Sequence, residues 1–246
     1  MTSPLSALNP HYAELRTRLV RAVLAVFLCS ALAYIFKDTL AAWCMQPLHQ
    51  AYPQAGKLVY TSLPEAFLSY IKLSLIAGVL LSFPFLLYQL WMFITPALLE
   101  KEKSTAGHVL LWGTLLFASG GLFAFFVVLP RLLHYFMSYA GPHLIPMLKL
   151  GAYLTFIARM VLAFALAFEI PFLMVMAVRT GLVRRGHFNA KRLYFYAAIT
   201  VLAFLLAAGD LTATVLLTMP LIALYETGIL ACRLFGGSGK AAEPAA

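Results

Sequence analysis

Charged residues are scarce in this chain: Asp, Glu, Lys and Arg make up 11% of its 246 residues, whereas 63% are hydrophobic. A soluble domain usually carries about 25% charged residues. So few charges cannot cover a water-facing surface, and the composition therefore predicts a polytopic membrane protein. Cysteine is also rare, and Cys29, Cys44 and Cys232 are scattered, which argues against a disulfide framework or a metal cluster.

Motifs that carry enzymatic chemistry are missing. The sequence contains no HExxH, no GxSxG and no GxxxxGKS or GxxxxGKT, and no two histidines stand four residues apart on one helix face. We therefore predict that the protein is not an enzyme and uses no cofactor and no metal. The net charge of +9 is not accompanied by a basic face with interleaved aromatics, so we also predict that it binds no nucleic acid.

Long apolar runs dominate what is present. A bilayer core needs about 20 helical residues, and six runs reach or approach that length, which predicts an all-α protein with six transmembrane helices. Pro84 and Pro171 are expected kink points in the two longest runs, and the fifth run is short. The predicted spans are 17–36, 66–94, 107–129, 151–178, 193–208 and 211–232. Residues 1–235 form one predicted membrane domain, followed by a disordered tail at 236–246.

The distribution of Lys and Arg predicts the orientation. Twelve of the eighteen lie at the N-terminus, in the loops after spans two and four, and in the tail, whereas the two longest loops share four. Because basic residues are retained on the cytoplasmic side, both termini are predicted to be cytoplasmic. The polar N-terminal stretch, with no apolar run before it, gives no sign of a cleaved signal peptide.

Two predicted cytoplasmic segments carry acids among basic residues. In HYAELRTRL, residues 11–19, Glu14 and Arg18 stand four apart and can pair on a helix. In YQLWMFITPALLEKEKS, residues 88–104, an aromatic belt precedes Glu100 and Glu102. Both segments have a simple explanation as solvated charged surface. Alternatively, acids from the two segments form one anionic site for a cationic ligand.

Four charges fall inside predicted spans. Lys72 and Arg159 lie within about two turns of the outer ends and can extend their charges to the interface, as Glu226 can at the other side. Glu169 is deepest, with an apolar half-helix on either side. Intramembrane acids are functional-site candidates by default, so we expect Glu169 to face something polar.

Several motifs together resemble one family. HYAELRTRL is similar to the H-x-x-E-L-R-x-R-L opening of TatC, the polytopic subunit of the twin-arginine protein translocase. Further similar segments follow in order along nearly the whole chain: YTSLPEAFLSYIKLSL, FPFLLYQLWMFITPALLEKEK, FVVLP, FEIPF and the stretch from Asp210 to Glu226. The sequence departs from the family pattern at Ala97, Pro64 and Ala207–Gly209.

The resemblance implies a fold and a function. It implies a concave, glove-like bundle in the bacterial inner membrane that binds twin-arginine signal peptides of folded cargo on its cytoplasmic face. Glu14 and Glu102 would receive the two arginines, with Leu15, Arg16 and Phe93 beside them, and Glu169 would face a hydrated hollow. Structural or partner-docking roles would fall to a further set of residues: Pro47, Pro84, Gln89, Asp210 and Glu226.

The resemblance also implies partners. Single-span TatA-like and TatB-like proteins would dock near spans five and six, the units would assemble into multimers of a TatBC type, and the proton-motive force would drive export. From the residues alone two alternatives stay open. One is a six-span, proton-coupled permease for small solutes that uses Glu169 and Arg159. The other is an assembly scaffold whose cytoplasmic acids are merely solvated.

Overall fold

The structure, a computed structural model, describes residues 4–53, 58–94, 106–139, 147–179, 183–184, 186–207 and 209–235. This described part is helical almost throughout, apart from one parallel bridge between Val59 and Lys149. The helices are α1 (Pro4–Ile35), α2 (Lys37–Ala51), α3 (Glu65–Ile94), α4 (Ala106–Phe123), α5 (Leu129–Ser138), α6 (Leu150–Arg179), α7 (His187–Ala190), α8 (Arg192–Leu206) and α9 (Leu211–Phe235). A π-helical segment, Ala124–Val128, joins α4 to α5.

Five helical stretches are long and apolar enough to cross a membrane, and α8 is a sixth, shorter apolar helix. The all-α, six-span fold class is therefore confirmed. The fifth apolar run is short, as predicted: it forms α8, which has 15 residues and a length of about 22 Å. Helices α3 and α6 continue past Pro84 and Pro171 without interruption.

The loop after the first span contains a helix that the sequence analysis did not predict. Residues 37–51 form α2, which buries Cys44, Pro47 and Leu48 and packs against α5. Its interior proline and low hydropathy are untypical of a span, and it is helical because its apolar face has a partner. The buried hydroxyl of Tyr153 donates to the carbonyl of Cys44 at 2.7 Å and ties α2 to α6.

The third span is longer than predicted. It was expected to end at residue 129, but the helical path continues through the π-helical segment and α5 to Ser138. Pro130 falls in the first turn of α5, where a missing N–H costs no hydrogen bond. The proline therefore marks a change of helix type and does not end the span.

Helix α6 is the centre of the bundle, since α3, α4 and α9 all pack against it. It approaches α4 closely at Gly120, where a Cβ would lie 2.6 Å from the carbonyl oxygen of Phe164. Helix α1 packs mainly on α3, and there a Cβ on Gly78 would lie 2.6 Å from the backbone nitrogen of Ser30. Small residues therefore set two helix separations, as is usual in membranes.

The starts of α3 and α6 are fastened together. The N–H of Val59 donates to Leu148 at 3.0 Å and the N–H of Leu150 donates to Val59 at 2.8 Å. Glu65, the first residue of α3, accepts the N–H of Thr61 at 2.7 Å and the N–H of Gly151 at 3.3 Å. A carboxylate among the free N–H groups of two helix starts is favourably placed in the field of both helices.

Candidate functional site

Glu14 lies on α1 and is paired with a cation from its own helix. The Nε of Arg18 donates to Oε1 of Glu14 at 3.0 Å, and a terminal guanidinium nitrogen of Arg18 contacts the same oxygen. The four-residue spacing places both side chains on one helix face. The predicted pairing is therefore present, and the Glu14 side chain stays about one-third exposed, at 36%.

Leu15 and Arg16, which follow Glu14, are exposed on α1, and Leu15 keeps 42% of its surface accessible. Phe93, near the end of α3, is half-buried. The crossing at Ser30 and Gly78 fixes the register of these two antiparallel spans. Glu14 stands sixteen residues before Ser30 and Phe93 stands fifteen after Gly78, about 24 Å and 22 Å of helix. The register thus brings Glu14 and Phe93 to the same level at one end of the bundle.

Glu102, the second predicted acid, lies outside the described residues. Of the five predicted signal-peptide residues, the structure therefore places Glu14, Leu15, Arg16 and Phe93, and their joint role stays a prediction.

Glu169 lies in the middle of α6 and is buried, with 4% of its surface accessible. Neither carboxylate oxygen has a hydrogen-bond partner in the described part of the protein. Oε2 is directed towards α4, since a Cβ on Gly113 would lie 3.6 Å from it. The space that a side chain at Gly113 would need is occupied by Leu87, since a Cβ there would overlap Leu87 Cδ2.

The predicted structural residues Pro84 and Gln89 lie on α3, and Pro47 lies on α2. Gln89 on α3 is buried, and its Oε1 lacks a partner within the described ranges. Pro84 lines an apolar groove between α2, α3 and α4. Pro47 lies within α2, and its side chain is buried. The structure therefore gives Pro47 a packing role, and Gln89, like Glu169, is a buried polar group without a partner for its carbonyl oxygen in the described ranges.

Asp210 caps α9. Its Oδ1 accepts the N–H of Ala213 at 2.6 Å, and its carbonyl accepts the N–H of Thr214 at 2.9 Å. Gly209, before it, has a φ of 87°, a left-handed conformation that favours glycine. The tight turn between α8 and α9 therefore explains both residues without a partner protein.

Glu226 joins α9 to α8. Its Oε2 accepts a hydrogen bond from the Arg192 guanidinium at 2.9 Å, and its Oε1 accepts the Tyr196 hydroxyl. The sequence analysis missed these two partners. The sequence spacing could have predicted the pair with Arg192, because Arg192 and Glu226 each stand seventeen residues from Gly209. In an antiparallel helical hairpin, positions equidistant from the turn lie opposite each other.

The family comparison covers most of the chain. The model of the family described as Sec-independent protein translocase protein (TatC) matches residues 10–220. A protein of that name from Desulforapulum autotrophicum is 35% identical over 94% of this chain and 86% of its own length. The Aquifex aeolicus protein of that name is 33% identical over 92% and 95%, and the Escherichia coli K12 protein is 30% identical over 95% and 90%.

Solved structures are similar as well. A crystal structure described as the twin-arginine translocase receptor TatC superposes with a TM-score of 0.84 at 33% identity, covering 91% of this chain and 98% of that one. A second crystal structure of that receptor, in the detergent DDM, gives a TM-score of 0.82 at the same identity. The similarity extends over the full six-span arrangement.

Proposed function

This chain belongs to the TatC family and is thus a non-enzymatic membrane subunit of the Sec-independent, twin-arginine translocase, and on that premise we propose that it is the signal-peptide receptor. The proposed site lies at the end of the bundle that carries Glu14, Leu15 and Phe93, together with Glu102. Its ligand is the arginine pair in the signal peptide of a folded cargo protein. Family membership favours this function over the small-solute permease.

The observation that carries the proposal is the guanidinium already held by Glu14. Arg18 contacts the carboxylate through Nε and a terminal nitrogen, the side-on geometry that arginine offers and lysine lacks. A carboxylate that holds an arginine side chain from its own helix has the position and exposure to hold one from a peptide. Exposed Leu15, next in the chain, supplies apolar surface for the residues around the arginines.

The internal pair is weak enough to be exchanged. An exposed ion pair between residues four apart on a helix stabilises it by about 0.3–0.5 kcal/mol, and the Glu14–Arg18 pair is partly buried, with side-chain exposures of 36% and 17%. A ligand with two arginines that meets two carboxylates gains two such charge-assisted contacts at once. Arg18 therefore acts as a placeholder that keeps Glu14 oriented while the site is empty, and it is displaced when the signal peptide binds.

The rest of the proposal follows the family. The chain lies in the bacterial inner membrane with both termini in the cytoplasm, as the basic residues predict. Single-span TatA-like and TatB-like proteins dock near α8 and α9, where the short span, α8, reduces the hydrophobic thickness of the bundle. Several such units assemble, and the proton-motive force drives export, with Glu169 as the intramembrane polar residue, buried between α4 and α6.

The test is photocrosslinking in membranes between this protein and a signal peptide with a photoprobe next to its arginine pair. The native chain is compared with the Glu14→Gln/Glu102→Gln double variant, and an Arg-Arg peptide with a Lys-Lys peptide. Glu243→Gln, which removes an acid from the tail, is the matched control.

Crosslinks that need both the two acids and the two arginines, and that survive Glu243→Gln, support the receptor function. Equal crosslinking in every combination would contradict the role of the acids and favour the scaffold, in which they are merely solvated. A loss with Glu243→Gln as large as in the double variant would mean that general charge, and not this site, attracts the peptide.

A further inference from the structure

A groove of about 680 Å³ opens at the other end of the bundle, between the starts of α3 and α6 and the end of α8. Three cationic side chains line it: Lys72 from α3, and Lys149 and Arg159 from α6 and the residue before it. All three are exposed. We call the space enclosed by these three residues the cationic groove. It lies far from Glu14 and does not depend on the proposed receptor function.

The positive charge of the cationic groove is not neutralised by the part of the chain that the structure describes. Lys72, Lys149 and Arg159 form no ion pair there, since the two ion pairs found are Arg18–Glu14 and Arg192–Glu226. The acid that lines the groove is Glu65. Its two oxygens are already occupied by the N–H groups of Thr61 and Gly151 and by the hydroxyl of Thr61.

Two of the cations lie below the rim. Lys72 is seven residues into α3 and Arg159 is nine residues into α6, about 10 Å and 14 Å along their helices. Charges at that depth are costly unless something polar reaches them. Lys149 stands at the rim, just before α6 begins. The three charges therefore form a ladder from the membrane interface inwards.

The rest of the lining has a polar part, with Ser69 and Thr155, and an apolar part. The apolar part includes Leu68 on α3, half-buried Phe156 on α6 and Leu205 on α8, and Leu205 keeps 70% of its surface exposed. A ligand that fits both the cations and the apolar part has an anionic head and an apolar body. A free inorganic anion would use the cations and leave the leucines in water.

We propose that the cationic groove binds the phosphodiester headgroup of an anionic phospholipid, such as a phosphatidylglycerol, with an acyl chain lying along Leu68 and Leu205. Basic pockets between transmembrane helices bind phospholipid headgroups on the matrix or cytoplasmic side, and the cationic groove offers the same chemistry at the opposite end of the bundle. Lys72 and Arg159 contact the phosphate oxygens from below and Lys149 contacts them from the rim. The bound lipid supplies negative charge that pairs with the three cations of the groove.

The test uses the full-length protein, purified in mild detergent, and measures retained lipid by native mass spectrometry. Dioleoyl phosphatidylglycerol is offered against dioleoyl phosphatidylcholine, and separate samples contain excess inorganic phosphate. The variants are Lys72→Gln/Arg159→Gln and the charge-preserving exchange Lys72→Arg/Arg159→Lys. Arg131→Gln removes an exposed cation of α5 outside the groove and is the matched control.

We expect the native chain to prefer phosphatidylglycerol and the glutamine double variant to lose that preference by about thirtyfold, since each basic side chain near a membrane surface contributes roughly fivefold. Arg131→Gln and the charge-preserving exchange should keep it. Because that exchange retains both charges, it separates loss of binding from loss of folding.

Three results would overturn the proposal. Equal retention of the two lipids by the native chain would exclude a headgroup site. A loss with Arg131→Gln as large as in the double variant would indicate general surface attraction. Displacement of the lipid by inorganic phosphate at millimolar concentration would mean that the cationic groove takes a free anion and does not select a lipid.

Discussion

Asp210 shows how a single charged side chain in a membrane protein can be explained by backbone hydrogen bonds alone. Its carboxylate satisfies the N–H of Ala213, one of the unpaired donors at the start of α9. The turn before it needs glycine at position 209 because of the positive φ. A docking role for Asp210 is therefore not required to account for its presence.

Asp210→Ala should lower the free energy of unfolding by about 0.5–2 kcal/mol, whereas Asp210→Asn should retain most of it, because asparagine also caps helices. Thermal unfolding in detergent measures both. Transport assays complete the test: an Asp210→Asn variant with native stability but no export would show that the negative charge serves a partner, against the capping explanation.

Cys44 offers a pH-dependent test of the packing of α2. Burial raises the pKa of its thiol to about 11. A raised pKa favours the neutral thiol. The thiolate fraction of Cys44 is therefore lower than that of an exposed cysteine at every pH below about 11, and it increases as the pH approaches that value. At pH 8 the thiolate fraction should be about a hundredfold below that of an exposed cysteine.

The measurement is alkylation by N-ethylmaleimide of a chain in which Cys29 and Cys232 are serine. Cys44 should react slowly in the folded protein and speed up after denaturation in SDS. Fast alkylation of the folded chain at pH 8 would contradict the burial of Cys44 between α2 and α6.

Side-chain partners differ in how far the sequence could predict them. The Glu14–Arg18 pair follows from a four-residue spacing on one helix, so local pattern is sufficient. The Glu226–Arg192 pair joins residues thirty-four positions apart, and it follows only once the turn at Gly209 is known. Glu169 was expected to face a polar surrounding, but its placement against Gly113 depends on how α4 and α6 cross, which no local pattern gives.

Two of the glycines in α4, Gly120 and Gly107, differ sharply in the space around them. A Cβ on Gly120 would lie 2.6 Å from the Phe164 carbonyl oxygen and 2.8 Å from Phe168 Cβ, whereas a Cβ on Gly107 would meet no heavy atom of the described residues within 4 Å. Gly120→Ala should therefore lower the unfolding free energy by about 1–3 kcal/mol, since α4 and α6 must move apart.

Gly107→Ala is the matched control. It should leave stability unchanged or raise it by up to about 1 kcal/mol, because alanine favours a helix more than glycine does. Thermal unfolding in detergent compares the two variants. Equal effects would mean that helix propensity, and not the contact between α4 and α6, decides the result.

The sequence predicts the membrane spans better than it predicts α2, because hydropathy marks a span directly and α2 has no such pattern. The six apolar spans are visible from hydropathy alone, since each must match the bilayer by itself. Helix α2 was missed because its sequence, KDTLAAWCMQPLHQA, is neither apolar enough to span nor free of proline. Its helical state depends on the burial of Pro47 and Leu48, a tertiary effect that overrides local preference.

Across the bundle, the positive-inside prediction fixes which end faces which compartment, and it can be checked directly. In a chain whose three cysteines are serine, Leu63→Cys should react with a membrane-impermeant maleimide in intact cells. Ala190→Cys should react only after lysis. Leu63 is 93% exposed and Ala190 is also exposed, so access within each aqueous phase is equal. The reverse labelling pattern would invert the orientation and move Glu14 outside the cell.

Helix α1 is the least covered span: 6% of its apolar window is buried within the protein, against 28–33% for the other four long spans. Its main neighbour, α3, ends at residue 94, fifty-nine residues after α1 ends. At a synthesis rate of roughly 5–20 residues per second, α1 waits about 3–12 s before α3 is complete. During that interval α1 is a solitary helix in lipid, so its own mean hydropathy of 1.9, and not any contact with the finished bundle, must hold it in the bilayer.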